Sequence, residues 1–176
     1  NRTFMVIKSN RIDLKFLTAL LNSSLIEFWL RYRGKMQGFN FQIDKDPLLN
    51  IPIFKPKSTT MFSILVDYII LTKRLKTDQI NSHVPNSHIS QLFEEVINAM
   101  VMELYFKEDF EKEGIEFIKY AERDFESIEG KPEAEQIEII HRAYQKLREK
   151  DNEIRNNLKL MDIKLADIVM PIKAAK

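Results

Sequence analysis

The sequence predicts an α+β fold, mostly helical, with a small β element near the N-terminus followed by a helical bundle. Three observations carry this. Apolar residues recur at three- and four-residue spacing through most of the chain, which is the mark of amphipathic helices. Two early segments are β-favouring instead: residues 3–8 (TFMVIK), and Phe39, Phe41 and Ile43 alternating with Asn40, Gln42 and Asp44. Proline and glycine punctuate the chain between these runs, at Gly34, Pro47, Pro52, Pro56, Gly130 and Pro132.

Each element has its own signals. Residues 3–8 form the first strand, and Asp13 caps a helix carrying Leu14, Leu17, Leu20, Leu21, Leu25, Phe28 and Trp29 as far as about Tyr32, where Gly34 ends it. The second strand follows, then a turn at 48–53 leading into an extended segment at a sheet edge. Phe62, Leu65, Val66, Ile69 and Ile70 mark a helix over about 60–76. Residues 77–89 read as a polar loop, and Ser90 caps a helix whose wide apolar face runs from Leu92 to Tyr105. The acidic stretch 107–114 breaks, residues 115–127 resume, and Gly130-Lys131-Pro132 stops and restarts the chain. Ile137, Ile140, Tyr144, Leu147, Ile154, Leu158 and Met161 then form a stripe interrupted at Asp151; it packs on the earlier helices rather than forming a coiled coil. Residues 165–172 (LADIVMPI) close the chain as a short strand. This divides it into a segment 1–76, a loop 77–89 and a helical scaffold 90–176.

Composition bounds the rest. A chain of 176 residues can bury one good core. With 44% hydrophobic and 30% charged residues it is globular, not disordered. No apolar run approaches the roughly 20 residues of a membrane span, and Asn1-Arg2-Thr3 opens no signal peptide. The absence of cysteine removes disulfides, thiolate metal sites and thiol nucleophiles, and a cytoplasmic location is expected. The first residue is not methionine and lies against a predicted strand, so the sequence reads as a piece of a longer protein.

Charge is unevenly placed. Residues 1–57 hold ten Lys/Arg against four Asp/Glu, and residues 58–176 hold seventeen against twenty-two. Such asymmetry points to a polyanion on one side of the molecule, unless the basic and acidic parts fold against each other.

Catalytic patterns are sparse. Four glycines leave no P-loop or dinucleotide fingerprint, and His83, His88 and His141 lack metal-site spacing. Glu129-Gly130-Lys131, with Asp109 or Asp124 upstream, has the outline of a metal-dependent nuclease motif, but it sits beside helix breakers and reads as a solvated turn. The stretch 31–57 is richer. Arg31, Arg33, Lys35, Lys45, Lys55 and Lys57 are each able to neutralise a phosphate. Gln37, Asn40 and Gln42 lie among them, and amides pair bidentately with adenine in the major groove. Arg31, Arg33, Lys35, Gln37, Asn40, Gln42 and Lys45 are therefore the predicted DNA contacts, the cations for phosphates and the amides for base edges. The alternative is a solvated loop, with helix-terminal arginines placed for the helix dipole.

One longer pattern adds to this. Leu17-Thr18-Ala19-Leu20-Leu21-Asn22-Ser23-Ser24-Leu25-Ile26-Glu27-Phe28-Trp29 is followed by the glycine-bearing loop 34–42 and then Asn50-Ile51-Pro52-Ile53. A further helix carries Phe93-Glu94-Glu95-Val96-Ile97-Asn98-Ala99-Met100-Val101-Met102-Glu103-Leu104-Tyr105-Phe106. In order and separation these resemble the TaqI-like C-terminal specificity domain of bacterial adenine-specific DNA methyltransferases and fused type II restriction-modification enzymes. Phe54 stands where the family often has a second proline, and Asn98 where an aspartate is common. The catalytic Asn/Asp-Pro-Pro-Tyr/Phe motif and the S-adenosylmethionine loop are absent. The resemblance implies a target-recognition region, non-catalytic by itself, with double-stranded DNA and the catalytic domain of the parent chain as partners. It implies no cofactor in this stretch, with S-adenosylmethionine, and in some members Mg²⁺, in the parent enzyme. The alternative is a helical interaction or scaffold module of the same enzyme without DNA contact.

Overall fold

The computed structural model describes residues 6–33, 35–37, 40–42, 45–76 and 79–175, with the side chains of 35–37, 40–42 and 45 left out of the description. The fold is all-α, which corrects the expected α+β class. Among the described residues ten helices follow in order: α1 (Leu14–Leu21), α2 (Ser24–Arg33), α3 (Lys45–Leu49), α4 (Thr60–Arg74), α5 (Asn86–Tyr105), α6 (Lys107–Glu113), α7 (Ile118–Asp124), α8 (Glu133–Arg148), α9 (Glu153–Lys164) and α10 (Ala166–Ala174). The strand pairing among the described residues is one local hairpin between α2 and α3, β1 (Lys35–Gln37) with β2 (Asn40–Gln42). Three residues a side make a turn-like ribbon, not a β layer around which a core could form.

The other predicted strands fail for physical reasons. Residues 6–8 have no regular structure, since no strand edge lies ready to pair with them among the described residues; residues 3–5 lie outside that set. The predicted sheet edge at 48–53 is α3 followed by an irregular segment, with Pro47 in the first helical turn, where a missing N–H is harmless. The tail is α10: Leu165, Val169 and Ile172 are buried at helical spacing. Burial of one helical stripe outweighs the β propensity of Ile168 and Val169.

Packing builds outward from α4 and α5, the most extensively packed helix pair. Tyr68, Phe93 and Phe125 meet edge-to-face with ring centroids 5.3–6.2 Å apart, and Phe16 meets Phe62 at 5.1 Å. Each such ring contributes about 1.5–3 kcal/mol by leaving water. The Tyr68 hydroxyl donates to the Glu126 carbonyl at 2.7 Å, which satisfies it where it is buried. One buried cluster contains Leu20, Leu65, Val96, Ile140, Ile154 and Val169, so helices from both ends of the chain share it. Trp29, Phe28 and Leu21 pack against it half-buried.

Several boundaries shift from their predicted positions. The helix expected over 13–32 is two helices, α1 and α2. Ser90 does not cap α5; it lies inside the helix with its hydroxyl donated to the Ser87 carbonyl, and the helix starts at Asn86 after Pro85. The 107–114 stretch is helical and ends at Gly114, whose φ of 67° a glycine adopts without strain. The stripe from Ile137 to Met161 divides into α8 and α9, where Asn152 Oδ1 accepts the Arg155 amide at 3.0 Å as an N-cap.

Candidate nucleic-acid interface

The predicted contacts follow one another through α2, the hairpin and α3. α2 buries Leu25, Ile26 and Leu30, and this places its polar C-terminal turn outside the core. Arg33 is exposed there. Arg31 is partly covered, with Nη2 3.5 Å from Glu27 Oε1 one turn earlier. Tyr32 is 73% exposed and its ring lies 4.7 Å from that of Phe28, which reaches back to the core.

The hairpin is described by its backbone. Lys35 pairs with Gln42, Met36 with Phe41 and Gln37 with Asn40. Successive strand positions alternate between faces and direct partners share one. The register therefore puts positions 35, 37, 40 and 42 in one set and 36 and 41 in the other. Lys45 opens α3. Gly34, Gly38, Phe39, Ile43 and Asp44 lie outside the described residues. The chain then returns to the bundle through Ile51, which is buried, and through Tyr105, whose hydroxyl donates to the Pro52 carbonyl at 2.6 Å and accepts the Phe54 amide at 3.2 Å. Burial raises the pKa of that phenol, so it stays protonated and keeps its donor role.

Ion pairing separates the two parts of the chain. Many carboxylates of the acidic helices pair with cations of the same part: Lys119 with Glu116, Arg123 with Asp124 and Glu153, Lys131 with Glu135, Arg142 with Glu126 and Glu138, Lys146 with Asp124, Lys164 with Glu113 and Lys173 with Asp162. Among the described residues a single ion pair, Lys15–Asp67 at 2.7 Å, joins residues 1–57 to the remainder. Lys8, Arg11, Arg33, Lys55 and Lys57 are exposed and form no ion pair among the described residues. Lys8 and Arg11 are not among the predicted contacts; their signal in sequence was only a surplus of charge just before a cap.

The nuclease outline does not assemble. The Asp124 carboxylate is buried, and its oxygens take Arg123, Lys146 and Asn152 at 2.6–2.9 Å. Burial alone would raise its pKa, but those donors overrule burial and hold it below the usual carboxylate value. Glu129 is exposed, and Lys131 points its ammonium at Glu135, 2.6 Å away. No group of three or more acidic or histidine side chains among the described residues could hold a metal. His141 faces Asn81 and Gln145 instead.

This geometry defines an all-α helical domain whose N-terminal part carries exposed cations before and after a short hairpin in the chain. No family model, curated protein or solved structure matches the chain, so the TaqI-like resemblance rests on the residues that carry it. Gly114 and Gly130 are helix-end and turn glycines with open space around them. No helix among the described residues is long and apolar enough to cross a membrane.

Proposed function

We propose that this chain recognises double-stranded DNA in a sequence-dependent way, as the target-recognition region of an adenine-N6 DNA methyltransferase or fused restriction-modification enzyme. The observation that carries the reading is the ion-pair pattern. Had the basic part folded against the acidic helices, their charges would pair across the boundary; instead one bridge crosses it among the described residues, and five described cations of residues 1–57 are left to solvent. Unneutralised Lys and Arg are what bind phosphates by displacing condensed counterions.

The hairpin supports the second half of the reading. A two-stranded ribbon is one of the two elements the major groove admits, and Lys35, Gln37, Asn40 and Gln42 occupy a single parity of this one. In this reading the helical body positions the hairpin, and the catalytic domain of a longer chain, with its S-adenosylmethionine, flips and methylates the adenine. Such an enzyme works in the bacterial cytoplasm.

The test is fluorescence-anisotropy binding to a random-sequence duplex of about 25 base pairs between about 25 and 200 mM salt. Steeply salt-dependent binding is expected. No binding at the lowest salt, by this chain and by a longer chain with its catalytic domain, would leave a scaffold role in its place.

A further inference from the structure

We propose that a second cationic surface, Lys8 and Arg11 before α1 with Lys55 and Lys57 before α4, clamps the phosphate backbone of the DNA; this rests on the DNA reading above. The surface is carried by the segments that enter two helices whose starts meet. Asp13 caps α1 by accepting the Phe16 amide at 2.7 Å, and the same oxygen accepts the Ser63 hydroxyl from the first turn of α4 at 3.0 Å. Both helices therefore start at the same end of the bundle, and the segments entering them arrive at that end.

Each entering segment is held by a local hydrogen-bonded turn. Ser9 Oγ accepts the amides of Arg11 and Ile12, each at 3.1 Å. Ser58 Oγ accepts the Thr60 amide at 3.3 Å and donates to the Thr60 hydroxyl at 3.0 Å. Ile12 packs against the core, which anchors the first turn, and the Pro52–Tyr105 hydrogen bond anchors the second. Cations on ordered turns lose less conformational freedom on binding than cations on loose tails.

Two carboxylates at this end are already committed, while Glu129, near Lys15, is exposed and makes no ion pair among the described residues. Asp13 is used as described, and Asp67 is bonded to Lys15 at 2.7 Å. Its hydrogen bond, with weaker contributions from Glu129 and Asp13, raises the Lys15 pKa, so Lys15 belongs to the bundle's own pairing. Lys8, Arg11, Lys55 and Lys57 are exposed with no carboxylate partner among the described residues. Lys55 and Lys57 also lie on the segment that leads back from the hairpin and α3, so the surface continues the proposed interface along the chain. Four exposed cations, Arg11 within the first turn and Lys8, Lys55 and Lys57 just before the two, fit a polyanion with one charge per about 1.7 Å of axis, and they carry no base-reading geometry.

The experiment compares the wild-type chain with a quadruple variant, Lys8→Ala, Arg11→Ala, Lys55→Ala and Lys57→Ala, and with a control, Lys112→Ala and Lys150→Ala. Lys112 and Lys150 are also exposed and without ion pairs among the described residues, but lie on α6 and in the α8–α9 turn. Binding to random-sequence duplex is measured from about 50 to 200 mM salt. The quadruple variant should lower the slope of log K against log salt by about 0.9 for each phosphate it no longer neutralises, with affinity down at least about tenfold near 100 mM, while the control keeps the wild-type slope. A wild-type slope in the quadruple variant overturns the clamp and leaves the DNA reading to Arg33 and the hairpin. Equal reductions in variant and control overturn it in favour of net charge. Failure of both the wild-type chain and a longer chain with its catalytic domain to bind any duplex removes both readings. All substituted side chains are exposed, so an unchanged melting temperature is expected and confirms folded protein.

Discussion

Asn98, midway along α5, accepts the backbone N–H of Ser24 on its Oδ1 at 2.7 Å, across 74 positions of sequence. This contact explains why the Leu-rich run is two helices. In an uninterrupted helix the Ser24 amide would bond to the Leu20 carbonyl; here Leu20 accepts the Ser23 amide at 3.0 Å and the Ser23 hydroxyl at 2.6 Å. Ser23 and Ser24 are both buried, so every one of these donors needs a protein partner.

Replacing Asn98 should therefore cost stability through Ser24. Asn98→Leu removes the acceptor from a buried amide and is expected to lower unfolding stability by about 1–3 kcal/mol. Asn98→Asp keeps an acceptor and sets a negative charge at the N-terminus of α2, so it should lose far less. Urea denaturation of the three proteins side by side checks this; equal losses in both variants would show that the amide NH₂, not Oδ1, matters.

Glu103 performs a similar task for α7. Its Oε2 accepts the Phe117 and Ile118 amides at 2.8 and 2.9 Å, capping that helix from α5. Burial raises its pKa, although the two amides pull the other way. A carboxyl whose folded pKa is raised contributes stability that is fully present below the unfolded value of 4.5 and is lost as pH rises through the folded value. Relative to Glu103→Gln, which keeps the acceptor and does not titrate, the wild-type protein should thus be comparatively more stable near pH 4 than near pH 7. Glu103→Ala should cost about 1–3 kcal/mol at either pH. Thermal melts of the three proteins at both pH values measure this.

The Arg123–Asp124–Glu153 cluster has the opposite sign. Arg123 donates to Asp124 at 2.6 and 2.9 Å and to Glu153 at 2.7 and 2.8 Å, and Lys146 and Asn152 complete Asp124, so α7, α8 and α9 are tied at one point. The hydrogen bonds from Arg123 pull the exposed Glu153 down to about 2, and Asp124 is lowered too. Their contribution is present above the unfolded carboxylate pKa of about 4 and is lost as pH falls toward 2. Asp124→Ala should cost about 2 kcal/mol at neutral pH, below the range for a fully buried pair because Arg123 and Lys146 keep access to water. It should also flatten the loss of stability between pH 5 and about 2; an unaltered acid profile would exclude Asp124 as its source.

For DNA, Arg33 and Arg31 should not weigh equally. Arg33 is exposed and has no ion pair among the described residues, whereas Arg31 is half-covered and shares Glu27. Substituting both by alanine should weaken duplex binding by about 1–3 kcal/mol, with Arg33→Ala supplying the larger part. Anisotropy titrations of the two single variants and the double variant settle the order; an affinity untouched in the double variant takes both off the interface.

Helix content was legible where one stripe stays in register for three turns or more. α4 and α5 lie close to their predicted spans, because Phe62, Leu65 and Val66, and Phe93, Val96, Met100 and Leu104, each form one buried face. The tail carried the same signal in Leu165, Val169 and Ile172, masked by β-branched neighbours and Pro171. The strand expected at the N-terminus could not be judged from its own residues, since pairing needs a partner edge and any such edge lies elsewhere in the chain. For the candidate interface, the order Arg31 to Lys45 was readable as chemistry, while the parity of the hairpin positions and the juxtaposition of the α1 and α4 starts were not.

Periodicity, charge surplus and the absence of cysteine are properties of neighbours along the chain. They were enough to establish a mostly helical protein with a basic N-terminal third. Whether that surplus is spent internally depends on which carboxylates reach which cations, and these distances exist only once the helices pack. The acidic helices find their partners within a few turns of one another, Arg123 with Glu153 and Arg142 with Glu126, and Lys8, Arg11, Arg33, Lys55 and Lys57 are left facing water. A helix likewise ends where a distant side chain outcompetes its own carbonyl for an amide, as Asn98 does at Ser24, and a pattern read over neighbouring residues has no access to that competition.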